Sequence, residues 1–192
     1  MVCLRRLEEY AKENNIPIME SDGIEYLTNY IKKHNIKNIL EIGSAIGYSA
    51  IKMCLVNNDI KVTTIERDEK RYLQAIKNIE DFDLKNRINI IHDDAFNIEL
   101  KDTFDLIFID AAKSQYIKFF EKFKNNLNNN GVIISDNLDF HGLVNGDYEN
   151  LSRNVKGIVR KLKNYIEYLK ENKEFSTEFI SIGDGIAVTK RK

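Results

Sequence analysis

The chain has 192 residues, 43% hydrophobic and 31% charged, with a single proline. That composition belongs to one packed globular domain and excludes a disordered or collagenous chain, or two domains of large size. With 29 Lys and Arg against 30 Asp and Glu, the formal net charge is -1, which excludes histone-like bulk basicity and leaves only a local patch for any nucleic-acid contact.

Residues 4–14 and 22–34 read as two helices joined by a turn around Pro17. They form an N-terminal segment (residues 1–36) ahead of an α/β core (37–192), within a single domain. The opening lacks the continuous apolar run of a secretory signal, and no stretch reaches the ~18 uncharged apolar residues of a membrane helix. Cys3 and Cys54 share no CxxC spacing, so neither a disulfide framework nor a cysteine zinc site is expected, and a cytoplasmic location is.

Apolar runs at 38–43, 61–66, 88–93, 104–110 and 131–137 predict five strands, rich in Ile, Val and Leu as strands covered on both faces are. Residues 48–56, 69–80 and 115–127 carry apolar side chains at three and four spacings and predict crossover helices of right-handed connection. The Asn-rich tract 125–130 predicts a helix exit and turn. Residues 151–169 predict one long helix, and 175–182 with 186–190 a closing strand pair around Gly183, Asp184 and Gly185. The alternation predicts an α/β, Rossmann-like fold: a mostly parallel seven-stranded sheet with helices on both faces and an N-terminal helical appendage.

The first strand ends in Glu41-Ile42-Gly43-Ser44-Ala45-Ile46-Gly47-Tyr48-Ser49. Small residues there let the backbone approach a ligand, and Ala45 in place of a second glycine weakens a dinucleotide pyrophosphate reading. An acidic residue before such a turn suits a ligand with an amino-acid end, Glu41 meeting an ammonium and Ser44 a carboxylate; a bare structural turn is the alternative. Glu66 closes the second strand, where a carboxylate accepts from both ribose hydroxyls. Asp93-Asp94-Ala95 closes the third, with Asp94 either facing adenine or capping the turn before Phe96.

Asp110-Ala111-Ala112-Lys113 closes the fourth strand and Asp136-Asn137 the fifth. Ligands of open parallel sheets bind outside the carboxyl ends of the strands, so these oxygen donors converge on one crevice. Two carboxylates and an amide oxygen form a hard donor set suited to Mg²⁺. Lys113, with its proton affinity lowered by that cation, would serve as a base; turn-capping Asp residues and a solvated Lys are the alternatives.

In order, ILEIGSAIGYS, TIERD, DDA, FIDAAKSQY and ISDN resemble the motifs of the class I, cation-dependent O-methyltransferases, the family of catechol and caffeoyl-CoA O-methyltransferases. The resemblance spans residues 19–189 and implies a class I methyltransferase fold. It implies that Glu41, Gly43, Ser44, Gly47, Ser49, Glu66, Asp94, Ala95 and Asp110 form the S-adenosylmethionine site. It further implies that Asp110, Asp136 and Asn137 bind Mg²⁺ or another divalent cation, and that Lys113 is the base beside a catalytic Asp110. A homodimer is expected by the same resemblance.

The segments RRLEEYAKENNIPIMESDGIEYL and SRNVKGIVRKLKNYIEYLKENKEFSTEFISIGDGIAV resemble the bacterial tRNA 5-hydroxyuridine methyltransferases, which make 5-methoxyuridine at the wobble position. This implies a tRNA anticodon region as partner, with a catechol-like small molecule as the alternative acceptor. Asp139 departs from the family, which has an apolar residue there, while aromatic-x-Gly survives as Phe140-His141-Gly142. A catechol and a 5-hydroxyuracil both present two adjacent oxygens, so one metal site serves either.

Between residues 152 and 173 there are seven Lys and Arg against two Glu. Arg153, Lys156, Arg160 and Lys163 repeat on one helix face, while Val155, Val159, Leu162, Ile166 and Leu169 repeat on another. Such a stripe is either a phosphate-binding surface, which Arg5 and Arg6 would extend, or a solvated face. Of the histidines, His34 is expected at a helix end, His92 in a strand and His141 in a loop near the substrate. Tyr48 and Tyr116 pack on the ligand or in the core. A non-catalytic binding module and an NAD-linked oxidoreductase are the remaining readings; the intact Asp110, Lys113, Asp136 and Asn137 oppose the first and the missing GxGxxG the second.

Overall fold

The computed structural model describes residues 3–144, 146 and 150–192. Met1 and Val2, within the predicted N-terminal segment, fall outside that range. The chain begins with α1 (Leu4–Glu13) and α2 (Ser21–Lys33), then alternates β1 (Asn38–Ile42), α3 (Tyr48–Cys54), β2 (Lys61–Glu66), α4 (Glu69–Asp81) and β3 (Ile88–His92). It continues through β4 (Phe104–Ile109), α5 (Tyr116–Phe123), β5 (Leu127–Ser135), α6 (Arg153–Glu171), β6 (Phe175–Ile180) and β7 (Ile186–Arg191).

These strands form one seven-stranded sheet in the order β3-β2-β1-β4-β5-β7-β6. The first five run parallel, and β7 is antiparallel to both β5 and β6. The order reverses between β1 and β4, so their carboxyl ends diverge into a crevice at the topological switch point.

Continuous apolar runs make strands here because both sheet faces are covered. One face packs Ile39, Leu106, Phe108 and Val188 with Ile51 of α3; the other packs Leu40, Ile107 and Ile133 with Phe120 of α5 and Leu162 of α6. The N-terminal helices are built into the first layer, with Leu7, Ala11, Ile24, Leu27 and Ile31 buried in the same cluster as the strands. The segment expected as an appendage thus supplies one wall of the core. Side chains cap the starts of α4 and α6: Asp68 accepts from the Arg71 amide at 2.9 Å, and Ser152 from the Val155 amide at 3.4 Å.

The Asn-rich tract departs from expectation. Its later residues belong to β5, which begins at Leu127 opposite Phe104 and shifts register before Val132 pairs with Leu106. Side-chain amides hold this irregular stretch, Asn128 donating to Asp105 Oδ1 at 2.7 Å and Asn126 to the carbonyls of Leu100 and Asp102. No helix among the described residues is long and apolar enough to cross a membrane.

Candidate active site

The turn after β1 is shaped by backbone that ordinary residues avoid. Gly43, Ala45 and Gly47 have φ of 98°, 45° and 79°. Glu66 braces this turn from the end of β2, its Oε2 accepting from the Ala45 amide at 2.8 Å and its Oε1 from the Asp68 amide at 2.8 Å. Each carboxylate oxygen keeps a second lone pair for a ligand. The Ser44 hydroxyl is buried and has no hydrogen-bond partner, an orphan that calls for one.

Glu41 lies behind this turn, fully buried, accepting from Ser49 Oγ and Thr64 Oγ1 at 2.5 Å each. Burial pushes its carboxyl up to about 7, against the pull of those two hydroxyls. Neither Glu41 nor Gly47 lines the crevice, whereas Gly43, Ser44, Ser49 and Glu66 do. In this arrangement the Glu41 carboxylate is committed to the strand and helix that frame the turn.

The crevice has a volume of about 600 Å³, within the ~300–1,000 Å³ range of small-molecule sites. Asp94, Ala95 and Asp110 also line it, as do Phe96, Phe119 and Gln115. Asp94 Oδ1 accepts from the Phe96 amide at 3.0 Å and its Oδ2 lies 3.6 Å from Arg67, so this residue both holds its turn and faces the cavity. The Phe96 and Phe119 rings stack with centroids 4.8 Å apart, and the Gln115 side-chain oxygen, Oε1, is buried without a partner. Sequence reasoning missed these three, because nothing in their spacing separates a cavity wall from a core.

Asp110, Lys113 and Asn137 meet the same cavity. Lys113 Nζ donates to Asn137 Oδ1 at 2.8 Å and sits 5.8 Å from the Phe140 ring centroid. Asp136 is buried just behind them; burial and then the Asp110 charge push its carboxyl up to about 7, and burial likewise raises Asp110. Tyr116, itself buried, donates to the Asp136 backbone carbonyl at 3.1 Å rather than facing the cavity.

Among the described residues no group of three His, Cys, Asp or Glu is arranged to hold a metal ion; the predicted set is two carboxylates with an amide oxygen. That set fits a divalent cation chemically. Burial raises the proton affinity of both carboxylates, the Asp110 charge raises that of Asp136 further, Lys113 is the cation that opposes this, and all the donors are hard oxygens.

One further carboxylate was not expected. Asp184, in the turn between β6 and β7, is buried and accepts from Asn137 Nδ2 at 3.2 Å and from the His141 amide. His141 lines the cavity mouth, with Nδ1 3.7 Å from Asp184 and 3.9 Å from Glu20. His34 caps the end of α2 and His92 ends β3, as expected. The basic residues of α6 line no part of the cavity; Arg153 and Arg160 are exposed, Lys156 and Lys163 half-buried, and the helix packs on the short turn Lys113–Gln115.

A family model described as O-methyltransferase matches residues 1–192. Caffeoyl-CoA O-methyltransferase of Populus kitakamiensis is 26% identical over 96% of this chain and 82% of its own length. Flavonoid 3',5'-methyltransferase of Vitis vinifera is 26% identical over 95% and 81%. Among solved structures, a candidate caffeoyl-CoA O-methyltransferase of Staphylococcus aureus superposes with a TM-score of 0.93 at 37% identity, covering 100% of this chain and 93% of that one. The O-methyltransferase of Bacillus cereus, in complex with SAH, superposes with a TM-score of 0.83 at 26% identity, covering 98% and 90%. Sheet order, full-length match and these relatives agree, and the chain belongs to the O-methyltransferase family.

Proposed function

We propose that this protein transfers the methyl group of S-adenosylmethionine to one of two adjacent oxygens of a phenolic small molecule, assisted by a divalent cation at Asp110, Asp136 and Asn137. The observation that carries this reading is the meeting of Asp110, Lys113 and Asn137 with Ser44 and Glu66 on one crevice at the β1/β4 switch point. SAH in the Bacillus cereus relative supports the methyl donor. The names of the Populus and Vitis relatives support a phenolic acceptor.

When bound, the donor would supply an electrophilic sulfonium methyl, and a cation at Asp110, Asp136 and Asn137 would supply positive charge that favours the acceptor oxyanion. The chain's own groups do the rest. Ser44 offers its unpaired hydroxyl to the donor's carboxylate, and Glu66 its free lone pairs to ribose hydroxyls. Phe96 and Phe119 wall the space beside Asp94, where a flat base fits. Lys113, held on Asn137, takes the proton of the acceptor hydroxyl as the oxygen–methyl bond forms and the sulfur–methyl bond breaks.

A second reading rests on the α6 stripe, where exposed Arg153 and Arg160 suit phosphates. It makes the acceptor a tRNA 5-hydroxyuridine, whose 5-hydroxyl and 4-carbonyl are also adjacent. The test is incubation with S-adenosylmethionine and Mg²⁺, offering a 3,4-dihydroxycinnamoyl thioester in one arm and tRNA containing 5-hydroxyuridine in the other, with mass spectrometry of both products. Methylation of the thioester alone supports the small-molecule reading, and methoxyuridine with an unmodified thioester reverses it.

A further inference from the structure

We infer that Asp184 is a positioning residue of this site: its carboxylate fixes which way the Asn137 amide faces and ties that orientation to the loop at the cavity mouth. The inference rests on the cation reading above and adds a residue to it.

An Asn side chain can present either its oxygen or its NH₂ group to a neighbour, and only the oxygen serves a cation or accepts from a lysine. A carboxylate accepts and does not donate. Asp184 Oδ2, 3.2 Å from Asn137 Nδ2, therefore claims the NH₂ end and turns Oδ1 toward Lys113 Nζ, 2.8 Å away. The Asp184 side chain is only 2% exposed, so water does not compete for these bonds.

Its other oxygen accepts from the His141 amide, within a run in which Phe140, His141 and Gly142 have φ of 49°, 57° and 79°. Two consecutive non-glycine residues in that region persist only where something holds them. The same turn contributes backbone bonds: Leu138 donates to the Gly185 carbonyl at 3.0 Å and Asp139 to the Asp184 carbonyl at 2.8 Å. Gly185 is required for this approach, since a Cβ there would lie 2.8 Å from the Asp139 nitrogen. On its far side the turn rests against Gly23 of α2. One carboxylate thus links a donor atom of the site, the substrate-side loop and the closing hairpin.

Mn²⁺ titration of the purified full chain by electron paramagnetic resonance, without methyl donor, tests this. Asp184→Leu removes the acceptor of both the Asn137 NH₂ group and the His141 amide, and Mn²⁺ affinity is expected to fall ~10-fold or more, as for other residues that orient metal ligands. Amide exchange at Leu138, Asp139 and His141 should quicken in parallel. Wild-type protein that binds Mn²⁺ beside an Asp184→Leu variant of unchanged affinity overturns the inference alone. Wild-type protein that binds no Mn²⁺ overturns the cation reading and this inference with it. If the variant does not fold, wild-type exchange decides: Mn²⁺ should slow exchange at Leu138, Asp139, His141 and Gly185, and unchanged rates would overturn the inference.

Discussion

Gly43 and Asp110 meet backbone to backbone, so closely that a Cβ on Gly43 would lie 2.1 Å from the Asp110 carbonyl oxygen. The Asp110 amide also donates to the Ile42 carbonyl at 3.0 Å. The end of the strand that frames the donor turn is therefore fixed against the end that carries Asp110. Replacing Gly43 by Ala must part these strand ends and force a φ of 98° on a residue with a side chain. The expected cost is ~3 kcal/mol or more, read as a lowered urea midpoint or as failure to fold. A variant as stable as the parent would contradict the close approach.

Lys113 is held by Asn137 in the cavity rather than spread into solvent. Lys113→Met should lower kcat by ~10²-fold or more, while calorimetry shows donor binding within a few-fold of the parent. Full turnover at every pH would remove Lys113 from the proton transfer.

The Asp136 carboxyl, raised to about 7 from an ordinary 3.8, binds its proton more tightly in the folded chain than in the unfolded one. Its contribution to stability is present below the unfolded value and is lost as pH rises through about 7. Asp136→Asn should therefore raise the Tm in EDTA at pH 8, and the same substitution should abolish methyl transfer in Mg²⁺. Mg²⁺ should raise the Tm of the parent and not that of the variant. A Tm unchanged by Mg²⁺ in the parent would argue against a cation at these donors.

Glu41 provides a second pH dependence. Its folded value of about 7 against 4.5 corresponds to a loss of ~3 kcal/mol between pH 4.5 and 8. Glu41→Gln should flatten that part of the stability profile, with Ser49 and Thr64 turning their hydroxyls to suit the amide. Equal slopes in denaturant unfolding from pH 5 to 8 would show that Glu41 does not titrate there.

Strands and strand-end motifs were legible because strands covered on both faces leave continuous apolar runs, and the polar residue after each run marks the crevice. Asp110, Lys113 and Asn137 fell together on that logic. Asp184 did not, because it meets Asn137 across 47 residues of chain through a hairpin turn whose sequence reads as an ordinary Gly-Asp-Gly loop. The start of β5 was hidden by asparagines that favour turns but here bond to the carbonyls and carboxylate of the preceding segments. The N-terminal helices read as an appendage because their amphipathic pattern does not say which surface covers the apolar face; the sheet does.

Under the proposed function, this site would methylate one of two adjacent acceptor oxygens beside a bound divalent cation. The most direct test compares methyl transfer from S-adenosylmethionine to a 1,2-dihydroxybenzene and to its 1,3-isomer, each in Mg²⁺ and in EDTA. Methylation of the 1,2-isomer only, and only in Mg²⁺, is the predicted result. Equal methylation of both isomers, or transfer that EDTA leaves intact, would contradict it.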